Sequence, residues 1–258
     1  MNNKVKIKEG NISFQKINSE IYREKELLVF LHDGLGSIRQ WGSFPEKLSG
    51  ELKLPAIVYS RLGHNGSDDA PSKKDKGFFK REANCLYEIL NKLNFSNKVI
   101  LIGSSDGGTI SLLFAATYPE KVKAVVTLAA HTFVEDVTVN GIMDSVEKFR
   151  NGNFRNALEK YHGEKTESLF AGWSGLWISA NFRDWNIFSD LKRIECPVLS
   201  LQGNMDEYGT IEQLYSIKNN VKSECGIEMI KDAGHFPYFD KSKEVNGLIK
   251  EFLSDKLS

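Results

Sequence analysis

Gly103-Ser104-Ser105-Asp106-Gly107-Gly108 stands between the apolar run Lys98 to Ile102 and a helix-forming stretch, Thr109 to Tyr118. A Gly-x-Ser-x-Gly pattern at a strand-to-helix junction makes a turn so tight that its flanks take glycine and the serine hydroxyl is thrust out of the backbone. Only Ser105 fits the register: Ser104 would need glycine at Ile102 and Asp106, and a nucleophilic Asp106 would need glycine at Ser104. The chemistry such a hydroxyl does is attack on a carbonyl carbon. Because the pattern also occurs as a plain glycine-rich turn, its partners decide the reading.

A serine hydroxyl needs a neutral imidazole to take its proton, and that ring needs a carboxylate to hold its tautomer. Of the five histidines, His235 lies in Ala233-Gly234-His235-Phe236-Pro237, after the last strand and before the terminal helix. That puts it at the carboxyl edge of the sheet, with Ser105. His32, His64, His131 and His162 are read as structural or pocket-wall residues, His131 being the rival because it too follows a strand. The acid belongs between serine and histidine in the chain, which favours Asp206 in Gln202-Gly203-Asn204-Met205-Asp206-Glu207, with Glu207 and Asp136 as alternatives. An aspartate in such a loop can also simply stabilise its turn.

Acyl transfer further requires donors aimed at the oxyanion. The backbone N–H of Asp106 is one candidate, at the positive end of the helix that follows the serine. Gly34, in His32-Asp33-Gly34-Leu35-Gly36-Ser37, is the other, with Leu35 next to it as the alternative. Gly34-Leu35-Gly36 is a poor dinucleotide fingerprint, since Arg39 stands where the third glycine belongs.

These residues need a scaffold that brings strand ends together. Val5 to Ile7 and Ile12 to Ile17 predict an N-terminal hairpin around Glu9-Gly10-Asn11. Leu27 to Leu31, Ala56 to Tyr59, Lys98 to Ile102, Val122 to Leu128, Val198 to Leu201 and Ile227 to Ile230 read as further strands, short apolar runs such as Leu27 to Leu31 being buried on both faces. Helices are predicted near Trp41 to Leu48, along Phe79, Ala83, Leu86, Leu90 and Leu93, after the elbow, and along Val245 to Leu253. The fold class is α/β, with a mainly parallel sheet covered on both faces. Over sixty residues between Ala130 and Pro197 hold no clear strand but many large aromatics: Phe149, Phe154, Tyr161, Phe170, Trp173, Trp177, Phe182, Trp185 and Phe188. They predict a helical cap over residues 133–189, inserted before the last two strands, with residues 1–132 and 190–258 as the core. Most of the aromatics should staple the cap down, while some line a pocket whose expected wall is Leu35, His131, Trp173, Trp177 and Phe236.

Charge and cysteines exclude much. Thirty-four basic against 34 acidic residues leave no electrostatic reason for a nucleic acid or anionic membrane partner. Cys85, Cys196 and Cys225 are odd in number and lack Cys-x-x-Cys spacing, which argues against a disulfide framework and a zinc site. The N-terminus has no continuous apolar segment, so the expected address is cytoplasmic. No cofactor or metal is called for, and oligomeric state is left open.

Taken in order, the His32 to Ser37 turn, the loop Tyr59 to Asp68, the elbow, the Gly203 to Asp206 loop and Gly234-His235 resemble the capped α/β-hydrolases, over Leu27 to Phe252. Ser105 to Gly108 is similar to the elbow of the serine-nucleophile branch that includes biphenyl-hydrolase-like proteins, valacyclovir hydrolase and carboxylesterases. The resemblance implies a serine hydrolase acting on a small-molecule carboxylic ester or thioester. It leaves open C–C bond hydrolysis, cofactor-free oxidoreductive chemistry and a ligand receptor, all hosted by the same fold. It also raises the idea that the Asp106 carboxylate recognises a cationic group, against the simpler reading that Asp106 contributes its amide alone. The chain departs from the pattern at Asp33, where many members have glycine.

Overall fold

A computed structural model describes residues 3–20, 25–70 and 74–257. Eight strands form one sheet: β1 Asn3–Lys6, β2 Asn11–Ile17, β3 Leu27–Leu31, β4 Ala56–Ser60, β5 Val99–Ser104, β6 Val122–Leu128, β7 Val198–Gly203 and β8 Cys225–Ile230. Their order is β1-β2-β4-β3-β5-β6-β7-β8. The β1–β2 hairpin, in register Val5 to Ile12, adds antiparallel to β4, and every later pairing is parallel. The central strands β3, β4, β5 and β7 are buried at every position, because helices cover both faces and no position can afford a polar side chain facing water.

One face packs α2 Phe78–Lys92, α3 Asp106–Thr117 and α8 Ile211–Asn220, and the other α1 Phe44–Leu52 and α10 Ser242–Ser254. The first helix begins three residues after the expected Trp41, a separate turn of 3-10 helix, Ile38–Trp41, taking the earlier positions. Helix α3 is apolar all round and buried from Asp106 to Ala116, as a helix wedged between the sheet and its neighbours must be.

Between β6 and β7 the chain runs through α4 Asp136–Arg150, α5 Asn153–His162, α6 Thr166–Trp177 and the short α7 Phe188–Leu191. The aromatics divide by task. Phe149 stacks on Phe170 at 3.8 Å and Phe182 on Trp185 at 4.9 Å within the insertion, and Phe79 of α2, 5.1 Å from Trp185, fastens it to the core. Phe154, Tyr161, Trp173 and Trp177 face a cavity instead. Among the described residues no helix is long and apolar enough to cross a membrane, and the three cysteines are unpaired.

Candidate active site

Ser105 follows β5 directly and holds φ +51° and ψ −118°, a left-handed conformation costly for a residue with a side chain. Close approach explains the flanking glycines. A Cβ on Gly103 would overlap the Gly107 carbonyl, and one on Gly107 would overlap the carbonyls of Leu31 and His32. The Ser105 N–H is bonded to Leu128 O at 2.8 Å, which locks the turn to the neighbouring strand.

Because β5, β6, β7 and β8 lie side by side, the loops after their carboxyl ends meet. Asp206, after β7, and His235, after β8, are joined by a 2.8 Å hydrogen bond from the ring Nδ1 to Asp206 Oδ1. That oxygen also accepts from the Tyr208 N–H at 2.8 Å, and Oδ2 from Gln202 Nε2 at 3.2 Å. Burial works to raise the Asp206 pKa, but the charge and hydrogen bond of His235, the His131 ring and the Tyr208 N–H outweigh it and hold the carboxyl below its ordinary value. The converse applies to the ring: burial works to lower the His235 pKa, and the Asp206 charge and hydrogen bond carry it above the ordinary 6.5. His235 is enclosed by Tyr208 at 4.7 Å, Phe236 at 5.1 Å and His131 at 5.8 Å between ring centroids.

Ser105 and His235 line one cavity of about 450 Å³, a volume suited to a small or medium-sized ligand. Among the described residues no hydrogen bond joins the Ser105 hydroxyl to the ring at rest, and in unliganded sites such bonds are commonly long until substrate arrives. Leu35, His131, Trp173, Trp177 and Phe236 lie on the same wall. Of the alternative acids, Glu207 reaches the exposed rim of the cavity, whereas Asp136 is on the surface at the start of α4, paired with Arg183. A larger open groove of about 1980 Å³ on the far side of α6, lined by Lys74, Arg81 and Lys165 among others, contains neither Ser105 nor His235.

The N–H groups of Gly34 and Asp106 donate to nothing among the described residues, while the Leu35 N–H is taken by Asp33 Oδ1 at 2.7 Å. The Asp106 carboxylate is 1% exposed and lies 3.8 Å from Arg61 Nη2, outside the cavity lining. Cavity residues the sequence reading passed over include Asp33, Gln40, Tyr208, Ile142 and Phe239. Asp33 alone carried a signal, as the departure from glycine in its turn; helical spacing gives no hint of which face of α4 turns inward.

Residues 26–187 match the family model of the alpha/beta hydrolase fold, and the chain belongs to that family. It is similar to the serine hydrolase BPHL of Homo sapiens, 29% identical over 200 residues, or 74% of this chain and 66% of that protein, just under two thirds of its length. It is 39% identical over 258 residues to a provisional 2-succinyl-6-hydroxy-2,4-cyclohexadiene-1-carboxylate synthase of Bacillus subtilis (strain 168), covering 89% of this chain and 90% of that one. The crystal structure of serine hydrolase CCSP0084 from Cycloclasticus zankles matches at TM-score 0.81 and 13% identity, over 98% of both chains, a likeness of fold.

Proposed function

We propose that the chain is a serine hydrolase that cleaves a small to medium-sized carboxylic ester or thioester through an acyl-enzyme. His235, its Nδ1 engaged by Asp206, takes the Ser105 proton on Nε2 as Oγ bonds to the substrate carbonyl carbon. The oxyanion is held by the Gly34 and Asp106 N–H groups. The bond to the leaving alcohol or thiol then breaks and His235 returns the proton to it. Water repeats the sequence in reverse, giving up a proton to His235 and releasing the acid and the free serine.

The observation that carries this reading is one cavity holding a hydroxyl on a strained elbow and an imidazole held at 2.8 Å by a buried carboxylate. A relative named as a serine hydrolase points the same way. The test is a fluorophosphonate probe followed by mapping of the adduct, beside turnover of a p-nitrophenyl ester series. The expected result is a single adduct on Ser105 and turnover abolished in Ser105→Ala. An adduct elsewhere, or none, overturns the proposal. Labelling at Ser105 without ester turnover moves the reading to a receptor or non-hydrolytic use of the fold.

A further inference from the structure

Asp33 occupies the turn after β3, immediately before Gly34, and is 7% exposed. Its Oδ1 is spent on the Leu35 N–H at 2.7 Å; its Oδ2 is buried and has no hydrogen-bond partner. Two more oxygens beside it are orphaned in the same way, Gln40 Oε1 and Ser37 Oγ. All three residues line the cavity that holds Ser105. Gly36 is what allows the crowding: Asp33 Oδ2 lies 2.8 Å from where a Cβ on Gly36 would stand, and Gln40 Oε1 would overlap it. A carboxylate oxygen and an amide oxygen thus sit close together with no donor between them, a costly arrangement unless a ligand supplies one.

Among the described residues no donor reaches these oxygens, although Arg61 Nε and Nη1 and Lys74 Nζ are themselves left without hydrogen-bond partners. Gln40 Nε2 gives its hydrogen bond to Tyr238 Oη at 3.1 Å. Arg61 donates Nη2 to the Asp33 main-chain carbonyl at 2.6 Å and not to its carboxylate. Among the described residues Asp33 belongs to no ion pair, whereas Asp106 lies 3.8 Å from Arg61 Nη2, its two oxygens likewise without a hydrogen-bond partner. Of the other charged or titratable groups on the cavity wall, Glu207 and Lys148 are at its exposed rim, and the His235 ring acts on Asp33 through its charge. One carboxylate with two neutral oxygens is too sparse a set for calcium or magnesium. It matches a group with several N–H donors and one positive charge.

Resting on the reading of Ser105 as the nucleophile, we propose that Asp33, Gln40 and Ser37 form a subsite for a protonated primary amine carried by the substrate. Asp33 Oδ2 supplies the charge partner, and Gln40 Oε1 and Ser37 Oγ take the remaining N–H groups. The enzyme therefore selects ammonium-bearing esters over neutral ones of the same shape. Asp33 is a specificity-determining residue with no part in bond making.

The experiment compares kcat/KM for methyl ω-aminoalkanoates with methyl alkanoates of equal length, and for ω-aminoalkyl acetates with alkyl acetates, so that an amine on either side of the ester is sampled. The readout is the ratio within each pair. The wild type is expected to favour the ammonium member of at least one pair by about tenfold or more, a preference of the size charge-assisted hydrogen bonds give. In Asp33→Asn, which keeps an oxygen for the Leu35 N–H, the ratio is expected to fall to about one. A wild-type ratio near one overturns the subsite and means that the Gln40 amide, turned over, caps Asp33 itself. A preference that survives in Asp33→Asn also overturns it, by placing the amine elsewhere. Calorimetry reads the subsite without turnover: n-butylammonium is expected to bind Ser105→Ala and not Ser105→Ala/Asp33→Asn. Fluorophosphonate labelling run in parallel separates the two claims, since an adduct on Ser105 with no amine preference removes only the subsite.

Discussion

His162 Nε2 lies 2.8 Å from the carbonyl oxygen of Leu35, across 127 residues of chain. It is one of a set. His32 Nδ1 donates to Asp33 O at 2.8 Å, with Arg61 Nη2 on the same oxygen, and His64 Nε2 faces Gly34 O at 3.2 Å. Three successive carbonyls of the turn after β3 are therefore held by buried rings, of which His162 also lines the cavity. A peptide's N–H and C=O point in opposite directions, so this arrangement leaves the Gly34 N–H free to meet a ligand.

Replacing His162 with leucine removes the outermost of these holds while filling much the same space. The turn then samples orientations in which the Gly34 N–H is off target, and the loss falls on the charge-developing step. The expected result is a fall in kcat of about tenfold, smaller than the loss from deleting a donor outright, with KM nearly unchanged. His162→Gln, which keeps a donor of similar reach, is expected to recover most of it. Equal losses in both variants would assign His162 to packing alone.

The pH dependence of activity follows from the Asp206–His235 pair. The ring must be neutral to accept the Ser105 proton, and its pKa is raised above 6.5, so kcat/KM is expected to climb with pH along a limb centred above that value. Asp206→Asn removes the largest raising influence, moving the limb down and lowering kcat by about 10⁴-fold if the pair works as a serine triad. Asp33→Asn is expected to move the limb in the same direction by a smaller amount, since the Asp33 charge also raises the ring. A limb at the same pH in all three proteins would show that His235 is not the group titrating.

Stability should weaken on the acid side. Burial lowers the pKa of His32, His64, His131 and His162 below 6.5, aided at His32 and His64 by the neighbouring Arg61 charge. Each folded ring takes its proton at a lower pH than its unfolded counterpart, which is protonated below pH 6.5. Their contribution is thus complete above about pH 6.5 and is withdrawn as pH falls beneath it. Urea midpoints measured at pH 8, 6.5 and 5 are expected to fall across the last interval, against the opposite leaning of His235 and Asp33. A flat or rising series would mean that these rings charge without disturbing the fold.

The fold was legible because its signals are local. Apolar runs such as Leu27 to Leu31 and Val198 to Leu201 give buried parallel strands wherever they occur, and parallel strands align their carboxyl ends whatever the loops between them do. Ser105, Asp206 and His235 were legible as candidates for the same reason: each follows a strand, and the strand order brings their loops to one edge. The contacts of Asp33, Gln40 and the clamping histidines were not readable, because they depend on side chains brought together across 28 to 198 residues of separation. Nor did the Asp106 carboxylate declare its direction; only packing shows that it turns to Arg61.

Asp33 ties stability to selectivity. Burial is the main reason its pKa is pushed up to about 6, from a usual 3.8, with the Asp106 charge adding to it. Between those two pH values the folded carboxyl holds a proton that the unfolded one has released, so stability declines as pH rises through the interval, and the full cost is present above about pH 6. Two units correspond to roughly 3 kcal/mol as an upper bound, and relaxation around the charge reduces it to about 1–2 kcal/mol. Asp33→Asn carries no charge and retains the bond to the Leu35 N–H. It is expected to unfold several degrees higher than wild type at pH 8, the gap closing near pH 4, where the native carboxyl is protonated. A variant no more stable at pH 8 would show that the native carboxylate already has a partner within the protein, and the amine subsite would lose its vacancy with it.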